Sequence, residues 1–319
     1  METKKKNIGE ILQEYGAFIA LILLVVVIGA INPEFRTVNN FLSLLRQSSI
    51  NGFIAFGMTM VILTGGIDLS VGSTLAVSAA LCAGMITRLG IPVPVAMALT
   101  LVIGLVLGGV SGMLITKGRL QPFIATLITM TVYRGATLIY TGGKPISNLS
   151  KPEYVLPGVL QFFGKGSVLG IPFPVILFIL VFAVYFLVLN KTTLGRKIYA
   201  VGSNDKCAQL AGISISRVKL LVYSISGLMA AVSGMILLSR LNSAQPTLGT
   251  GYELDAIASV ALGGTSMNGG RGKITGTLIG ILIIAVLNNG LNILGISSYY
   301  QDVVKGLVIL VAVLSDKNR

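Results

Sequence analysis

One carboxylate, Asp68, stands in the stretch LTGGIDLSVGS (63–73), directly after a long apolar run. Three glycines surround it: Gly65, Gly66 and Gly72. Glycines at this density predict a break between two helices rather than a position inside one. At such a break, Asp68 or Ser70 can accept hydrogen bonds from the free amide groups of a helix that begins near Val71. A carboxylate at membrane depth can also take part in gating or in a permeation path, so two roles stay open for Asp68.

A second stretch also combines glycines with acidic residues next to an apolar run. In LGTGYELDAIASVALGG (248–264), Glu253 and Asp255 follow glycines and enter an apolar run. Broken backbone at membrane depth is tolerated only where protein or a water-filled cavity satisfies its polar groups. If the two halves of the chain are inverted repeats, the two breaks occupy corresponding places. A further charge of interest is Lys305, which we expect to pair with the nearby Asp302.

Several kinds of chemistry are not expected. Histidine is absent, and the two cysteines, Cys82 and Cys207, lack metal-ligand or CxxC spacing, so they are interpreted as packing residues. The ATP-binding pattern GxxxxGK[ST] does not occur, because Met267 replaces its first glycine and Ile274 its Ser/Thr. We therefore expect no catalytic residue, no metal and no cofactor in this chain, and no P-loop of its own.

The composition predicts a membrane protein. Of 319 residues, 54% are hydrophobic and only 11% are charged, which indicates an all-α polytopic fold in a single transmembrane domain over 1–319. Crossing a bilayer takes about 20 apolar residues. Ten candidate spans are found: 16–31, 44–63, 71–87, 93–116, 123–140, 173–189, 220–241, 254–264, 274–291 and 303–314.

The positive charges predict the orientation. Of the 24 Lys and Arg residues, 15 fall at the two ends of the chain and in 117–119, 191–219 and 271–273, whereas five fall in the other loops. The positive-inside rule therefore puts both termini in the cytoplasm. The first apolar run lacks an A-x-A cleavage site and is interpreted as a retained span. The Gly-, Pro- and Ser-rich region 141–172 is interpreted as an external loop with turns or short helices.

Small residues recur at helical spacing in the spans. The two sets are Gly104, Gly108 and Gly112, and Gly272, Gly276 and Gly280. Glycines four apart let helix backbones approach closely, so both sets predict helix–helix contacts, either within one subunit or between two copies.

The longest predicted inner loop, 191–219, has a pattern of its own. Ser203 or Asn204 can cap a short helix, and Asp205 suits its first turn. Its remaining positions form a small apolar face and a stop: Cys207, Ala208, Leu210, Ala211 and Gly212. Such a helix can dock in a groove of another protein. The alternative is a helix that lies on the bilayer surface.

From about Pro33 to the C-terminus, the chain resembles the permease subunits of bacterial ABC importers for monosaccharides. The resemblance rests on LTGGIDLSVGS, on RLNSAQPTLGTGYELDAIASVALGGTSMNGGRGKITGTLIG and on LNNGLNILGISSYYQDVVKG. It implies a helical subunit of the bacterial inner membrane that moves ribose or a related monosaccharide. The family signature GIDLS maps onto 66–70, and the coupling helix maps onto 203–213.

The resemblance also implies partners. These are a second copy of the chain, a cytoplasmic ABC ATPase that binds ATP and Mg, a periplasmic or lipid-anchored sugar-binding protein, and membrane lipid; nucleic acid is not expected. Three asparagines of LNNGLN, Asn288, Asn289 and Asn292, are candidates for contacts with sugar hydroxyls along a pore. The alternative for each is a hydrogen bond between helices.

Two rival functions are distinguishable. A secondary sugar transporter coupled to protons or sodium would use Asp68 as its coupling carboxylate and would need no ATPase. The lack of histidine and the scarcity of intramembrane acids count against it. A membrane scaffold that transports nothing would have no need for helix breaks.

Overall fold

The computed structural model of the chain describes residues 8–147, 149 and 157–316. Their helices are α1 Ile8–Ile31, α2 Val38–Leu63, α3 Val71–Thr87, α4 Val93–Thr116, α5 Pro122–Thr141, α6 Pro157–Lys165, α7 Phe173–Lys191, α8 Thr193–Ser203, α9 Asp205–Leu210, α10 Ile215–Leu241, α11 Tyr252–Leu262, α12 Ile274–Ile293 and α13 Ser298–Asp316. The predicted all-α class is therefore confirmed for the described residues. The basic residues at the two chain ends and Lys151 lie outside them.

Minor elements complete the description. The 3-10 turn Pro33–Arg36 precedes α2. Strand β1 (Ile146–Ser147) pairs antiparallel with β4 (Ser243–Ala244), and β2 (Ser167–Val168) pairs antiparallel with β3 (Ile171–Pro172). The region predicted as a loop with short helices thus contains α6 and three of these strands.

Each of the ten predicted spans overlaps a helix, although the predicted span 254–264 extends two residues beyond the end of α11 at Leu262. Helix α4 has the predicted bounds, whereas α13 begins at Ser298, before the predicted start at 303. Within the part of the chain that the structure describes, five helices are long and apolar enough to cross a membrane by length and composition, namely α4, α5, α7, α10 and α12.

Local signals account for several helix ends. The Thr37 hydroxyl caps α2 by accepting a hydrogen bond from Asn40 N at 3.2 Å. Prolines lie in the first turn of α4, α5 and α7, where their missing N–H costs nothing. Gly142 ends α5 with a left-handed φ of 63°.

Helix α2 forms the centre of the bundle, and every residue from 48 to 63 is buried. Helices α7, α10, α11 and α12 pack around it. Helix α10 also packs on α3 and α4. Helices α2 and α10 therefore form the centre on which the other named helices pack.

The glycine sets make close helix contacts within this subunit. A Cβ at Gly104 or Gly108 of α4 would collide with the backbone of α10. A Cβ at Gly276 or Gly280 of α12 would collide with the backbone of α11 and its C-terminal end. Of the two predicted possibilities, contacts within one subunit therefore account for these four glycines.

Candidate functional site

The first helix break lies between α2 and α3 and is organised by Asp68, whose side chain is 1% exposed. Asp68 Oδ1 accepts hydrogen bonds from Ser70 N at 3.0 Å and from Ser70 Oγ at 2.6 Å. Asp68 Oδ2 accepts from Ser226 Oγ of α10 at 2.8 Å. The carboxylate thus has three hydrogen-bond donors, two in the break and one on a neighbouring helix.

This arrangement refines the predicted cap. Ser70 occupies the N-cap position of α3, but its side chain makes no capping hydrogen bond to that helix. It donates instead to Asp68, so of the two predicted candidates, Asp68 or Ser70, the Ser70 side chain is not the cap. Asp68 does bind a backbone amide at the start of α3, that of Ser70. Its second partner, Ser226, carries no signal in the sequence because it is one of five serines in the apolar helix α10.

The backbone of the break is also satisfied by protein groups. Ile67 O accepts hydrogen bonds from Thr126 Oγ1 at 3.2 Å and from Tyr223 OH at 3.4 Å. Gly65 has a left-handed φ of 76°, which glycine adopts without strain. At Gly66 a Cβ would collide with the Tyr223 hydroxyl. These two glycines are therefore required by backbone conformation and by close packing, respectively.

The second break joins α10 to α11 through residues 242–251. Arg134 Nη1 on α5 donates hydrogen bonds to Pro246 O at 2.9 Å and Leu248 O at 2.8 Å. Glu253 Oε1 accepts from Gly251 N at 3.3 Å. An arginine that sequence reasoning left without a role therefore holds the irregular backbone of this break in place.

The two breaks meet inside the bundle. A Cβ at Gly72 would collide with Gly249 O and with the Glu253 carboxylate, and a Cβ at Gly249 would lie 2.7 Å from Gly72 O. Gly72, predicted as part of the first break, thus provides its contact with the second. A movement of either break would change the packing of the other.

A polar cluster surrounds the first turn of α11. Lys305 Nζ of α13 lies 3.2 Å from Asp255 Oδ1 and 3.9 Å from Asp302 Oδ1. The expected pairing of Lys305 with Asp302 is present, but the nearer partner is the buried Asp255. Asn51 Nδ2 of α2 also donates to Asp255 Oδ2, at 3.3 Å.

The three asparagines of α12 have different surroundings. The side chains of Asn289 and Asn40 donate to each other, at 2.8 and 3.0 Å. Asn292 Oδ1 accepts from Gln301 Nε2 at 2.8 Å. Both make the hydrogen bonds between elements that were the predicted alternative to a pore role. Asn288 is buried, and its Oδ1 has no hydrogen-bond partner.

The inner segment contains α8 and α9, joined at Asn204. Asn204 Oδ1 accepts from Cys207 N at 3.0 Å, so Asn204 and not Ser203 caps α9. Asp205 in the first turn pairs with Lys219 Nζ at 3.0 Å. Gly212 follows α9 with a left-handed φ of 78°, as a stop signal requires.

The apolar face of α9 is open. Leu210 is 90% exposed, and Ala211 is exposed beside it. Cys207 is exposed as well, so its interpretation as a packing residue is wrong, whereas Cys82 is buried as expected. Ala208 is buried against the bundle and anchors the helix.

Helix α8 connects this face to the first break. A Cβ at Gly202 would collide with Leu63 O, the last residue of α2, and Gly270 N donates to the same oxygen at 3.0 Å. Tyr199 OH donates to Gly272 O at 2.9 Å. Burial raises the pKa of Tyr199, which keeps the hydroxyl protonated as a donor.

The chain matches known permeases over nearly all of its length. The family model described as branched-chain amino acid transport system / permease component matches residues 40–313. The ribose import permease protein of Bacillus subtilis (strain 168) is 55% identical over 318 residues, which cover 100% of this chain and 97% of that protein. The ribose import permease protein of Escherichia coli (strain K12) is 49% identical over 97% of this chain and 95% of that protein.

A more distant relative is the D-allose transport system permease protein of Escherichia coli (strain K12), 39% identical over 99% of this chain and 95% of that protein. No solved structure matches the chain significantly. The resemblance predicted from the motifs is confirmed, because the family model and these relatives match the chain almost from end to end. The chain belongs to the family of branched-chain amino acid transport system permease components and is a multi-pass protein of the bacterial cytoplasmic membrane.

Proposed function

We propose that this chain is the permease subunit of an ATP-binding-cassette importer that moves ribose or a related monosaccharide into the cytoplasm. One observation carries the proposal, the 55% identity over the whole chain to a ribose import permease protein. The permease proteins for D-allose and L-arabinose, at 39% and 36% identity, support a sugar substrate more generally. Ribose is therefore the first substrate to test.

In this proposal the chain crosses the membrane ten times with both termini in the cytoplasm, and two copies enclose the pathway. The contact of α8 with Leu63 supports the orientation. It puts the end of α2, and with it the first break, on the side of the basic segment 191–219.

The ATPase partner, which binds ATP and Mg, docks on the segment 203–213. The exposed Leu210 and Ala211 offer it a small apolar face, and Ala208 fixes α9 to the bundle. Because α8 contacts Leu63, a displacement of α9 reaches the first break over a short path of packed backbone. The meeting of Gly72 with Gly249 then passes the displacement on to the second break.

Asp68 acts as an organiser of the first break rather than as a carrier of ions. Its two oxygens already accept three hydrogen bonds from Ser70 and Ser226, and the side chain is buried. Protonation during an ion-coupled cycle would weaken all three. A periplasmic or lipid-anchored sugar-binding protein delivers the substrate, and ATP supplies the energy.

The test is uptake of labelled ribose by a bacterial strain whose own ribose import proteins are deleted. The chain is expressed with its ATPase and its sugar-binding protein, and each of the three is omitted in turn. We expect accumulation only with all three present. Accumulation by the chain alone, abolished by collapse of the ion gradient, would show an ion-coupled transporter instead.

A further inference from the structure

Side chains from three other helices surround the buried carboxylate of Asp255 on α11. Lys305 Nζ of α13 lies 3.2 Å away, and Asn51 Nδ2 of α2 donates a hydrogen bond at 3.3 Å. The side chain of Asn288 on α12 also interacts with this carboxylate. Because Asn51 is near the middle of α2, the cluster lies deep in the bundle rather than at its rim.

Within the described residues the cluster is incomplete at one atom. Asn288 is 5% exposed, and its Oδ1 has no hydrogen-bond partner. A buried carbonyl oxygen without a donor costs about 1–3 kcal/mol, and most such atoms in proteins are paired. The neighbouring Asn289 and Asn292 both have partners for their oxygens. Asn288 Oδ1 can therefore accept a hydrogen bond from a molecule outside this chain.

The charges of the cluster select the kind of ligand. Lys305 lies 3.2 Å from Asp255 and 3.9 Å from the exposed Asp302, so one positive charge stands between two carboxylates. Lysine disfavours a metal cation, and the carboxylate disfavours an anion. Donors and acceptors lie side by side, as a neutral molecule with several hydroxyl groups requires. The Lys305 side chain on α13 is 22% exposed.

A purely structural ion pair explains the cluster less completely. Replacing a buried pair by apolar residues is often neutral or stabilising, so packing alone gives no reason to keep Asp255 and Lys305. A structural pair also has no use for the free oxygen of Asn288.

We infer that Asp255, Lys305, Asn51 and Asn288 form a binding site for hydroxyl groups of the transported sugar, with one hydroxyl donating to Asn288 Oδ1. The inference rests on the proposed function and deepens it. In the bound state a sugar hydroxyl accepts from Lys305 Nζ while another donates to Asp255 or to Asn288. The contact is brief, because the sugar must leave the site toward the cytoplasm.

The test compares sugars that differ by one hydroxyl. Uptake of ribose and of 2-deoxy-, 3-deoxy- and 5-deoxyribose is measured in proteoliposomes with ATP, the ATPase and the sugar-binding protein. The ratio of ribose to each deoxyribose is compared between wild type and Asn288→Leu. The contribution of the sugar-binding protein cancels, because the same protein delivers each sugar in both cases. Asn292→Leu, on the same helix and outside the cluster, is the matched control.

We expect Asn288→Leu to lower the ribose preference over one deoxyribose by roughly fivefold, about the worth of one hydrogen bond, and Asn292→Leu to leave all ratios unchanged. If Asn288→Leu does not insert, Asn51→Ala serves as the second variant, with the same expected change in a ratio. Uptake that falls equally for all four sugars would overturn the inference in favour of a structural role, and so would unchanged uptake. A wild type that imports none of these sugars would overturn the proposed function itself, and the inference with it.

Discussion

The Asp68 carboxylate lies 2.8 Å from the Ser226 hydroxyl, which joins the break between α2 and α3 to the middle of α10. The two residues are 158 positions apart in the chain. Their contact makes the break part of the central helix packing rather than a free hinge. Its movement must therefore be coupled to α10 or must break this hydrogen bond.

Substitutions of Asp68 separate hydrogen bonding from charge. Asp68→Asn keeps an acceptor for Ser70 N, and its amide can donate to Ser226 Oγ, so the expected loss of stability is small. Asp68→Leu leaves Ser70 N and the Ser226 hydroxyl without a partner and should cost about 2–4 kcal/mol. Thermal unfolding of the purified variants in detergent measures the difference. Equal losses for Asn and Leu would instead show that the negative charge is needed.

Gly66 tests the packing of the break. In Gly66→Ala the new Cβ collides with the Tyr223 hydroxyl, so we expect a destabilisation of about 1–3 kcal/mol and a lower uptake rate. Removing that hydroxyl by Tyr223→Phe should restore part of the loss in the double variant. Gly135→Ala is the control, because nothing lies within 4 Å of a Cβ there. Additive effects of Gly66→Ala and Tyr223→Phe would contradict this contact.

Leu210 tests the docking face. Because Leu210 is 90% exposed, Leu210→Arg should leave folding intact and abolish the stimulation of ATP hydrolysis by the loaded sugar-binding protein. The control is Leu169→Arg at the hairpin between β2 and β3, where the leucine is 98% exposed. Pull-down of the ATPase by each variant checks the contact directly. Normal ATPase binding by Leu210→Arg would remove α9 from the interface.

Arg134 tests the second break. Arg134→Met removes the donor to Pro246 O and Leu248 O, so we expect a loss of roughly 2–3 kcal/mol and faster proteolysis between α10 and α11. Arg134→Lys should be intermediate, since an ammonium group can reach one carbonyl more easily than two. Limited proteolysis in detergent follows the change. Protection equal to wild type in Arg134→Met would show that other contacts hold the break.

The sequence predicts helix bounds that depend on residues close to each other in the chain. The apolar run of α4 is bounded by Pro92 and Lys117, and its helix has the predicted bounds. The short helix α9 was predicted because its cap and its stop are both local signals, Asn204 and Gly212. Hydropathy and capping both depend on a few neighbouring residues. The sequence alone is therefore enough to predict the features that they determine.

Partners distant in the chain could not be predicted. Asp255 is the nearer partner of Lys305, although Asp302 is three residues away, because α11 and α13 pack side by side. Likewise, nothing near Asn289 in the chain indicates its pairing with Asn40. Such contacts depend on which helices pack together. The spacing of residues within one helix does not determine that packing.

In the proposed importer, ATP hydrolysis drives a sugar through this chain. The most direct measurement is uptake of labelled ribose into proteoliposomes that contain the chain, with its ATPase, its sugar-binding protein and ATP, and with no ion gradient. We predict uptake that requires ATP and the sugar-binding protein and is lost in Leu210→Arg. Uptake driven by an ion gradient alone, and independent of ATP, would show that the chain is a secondary transporter and not part of an ATP-driven importer.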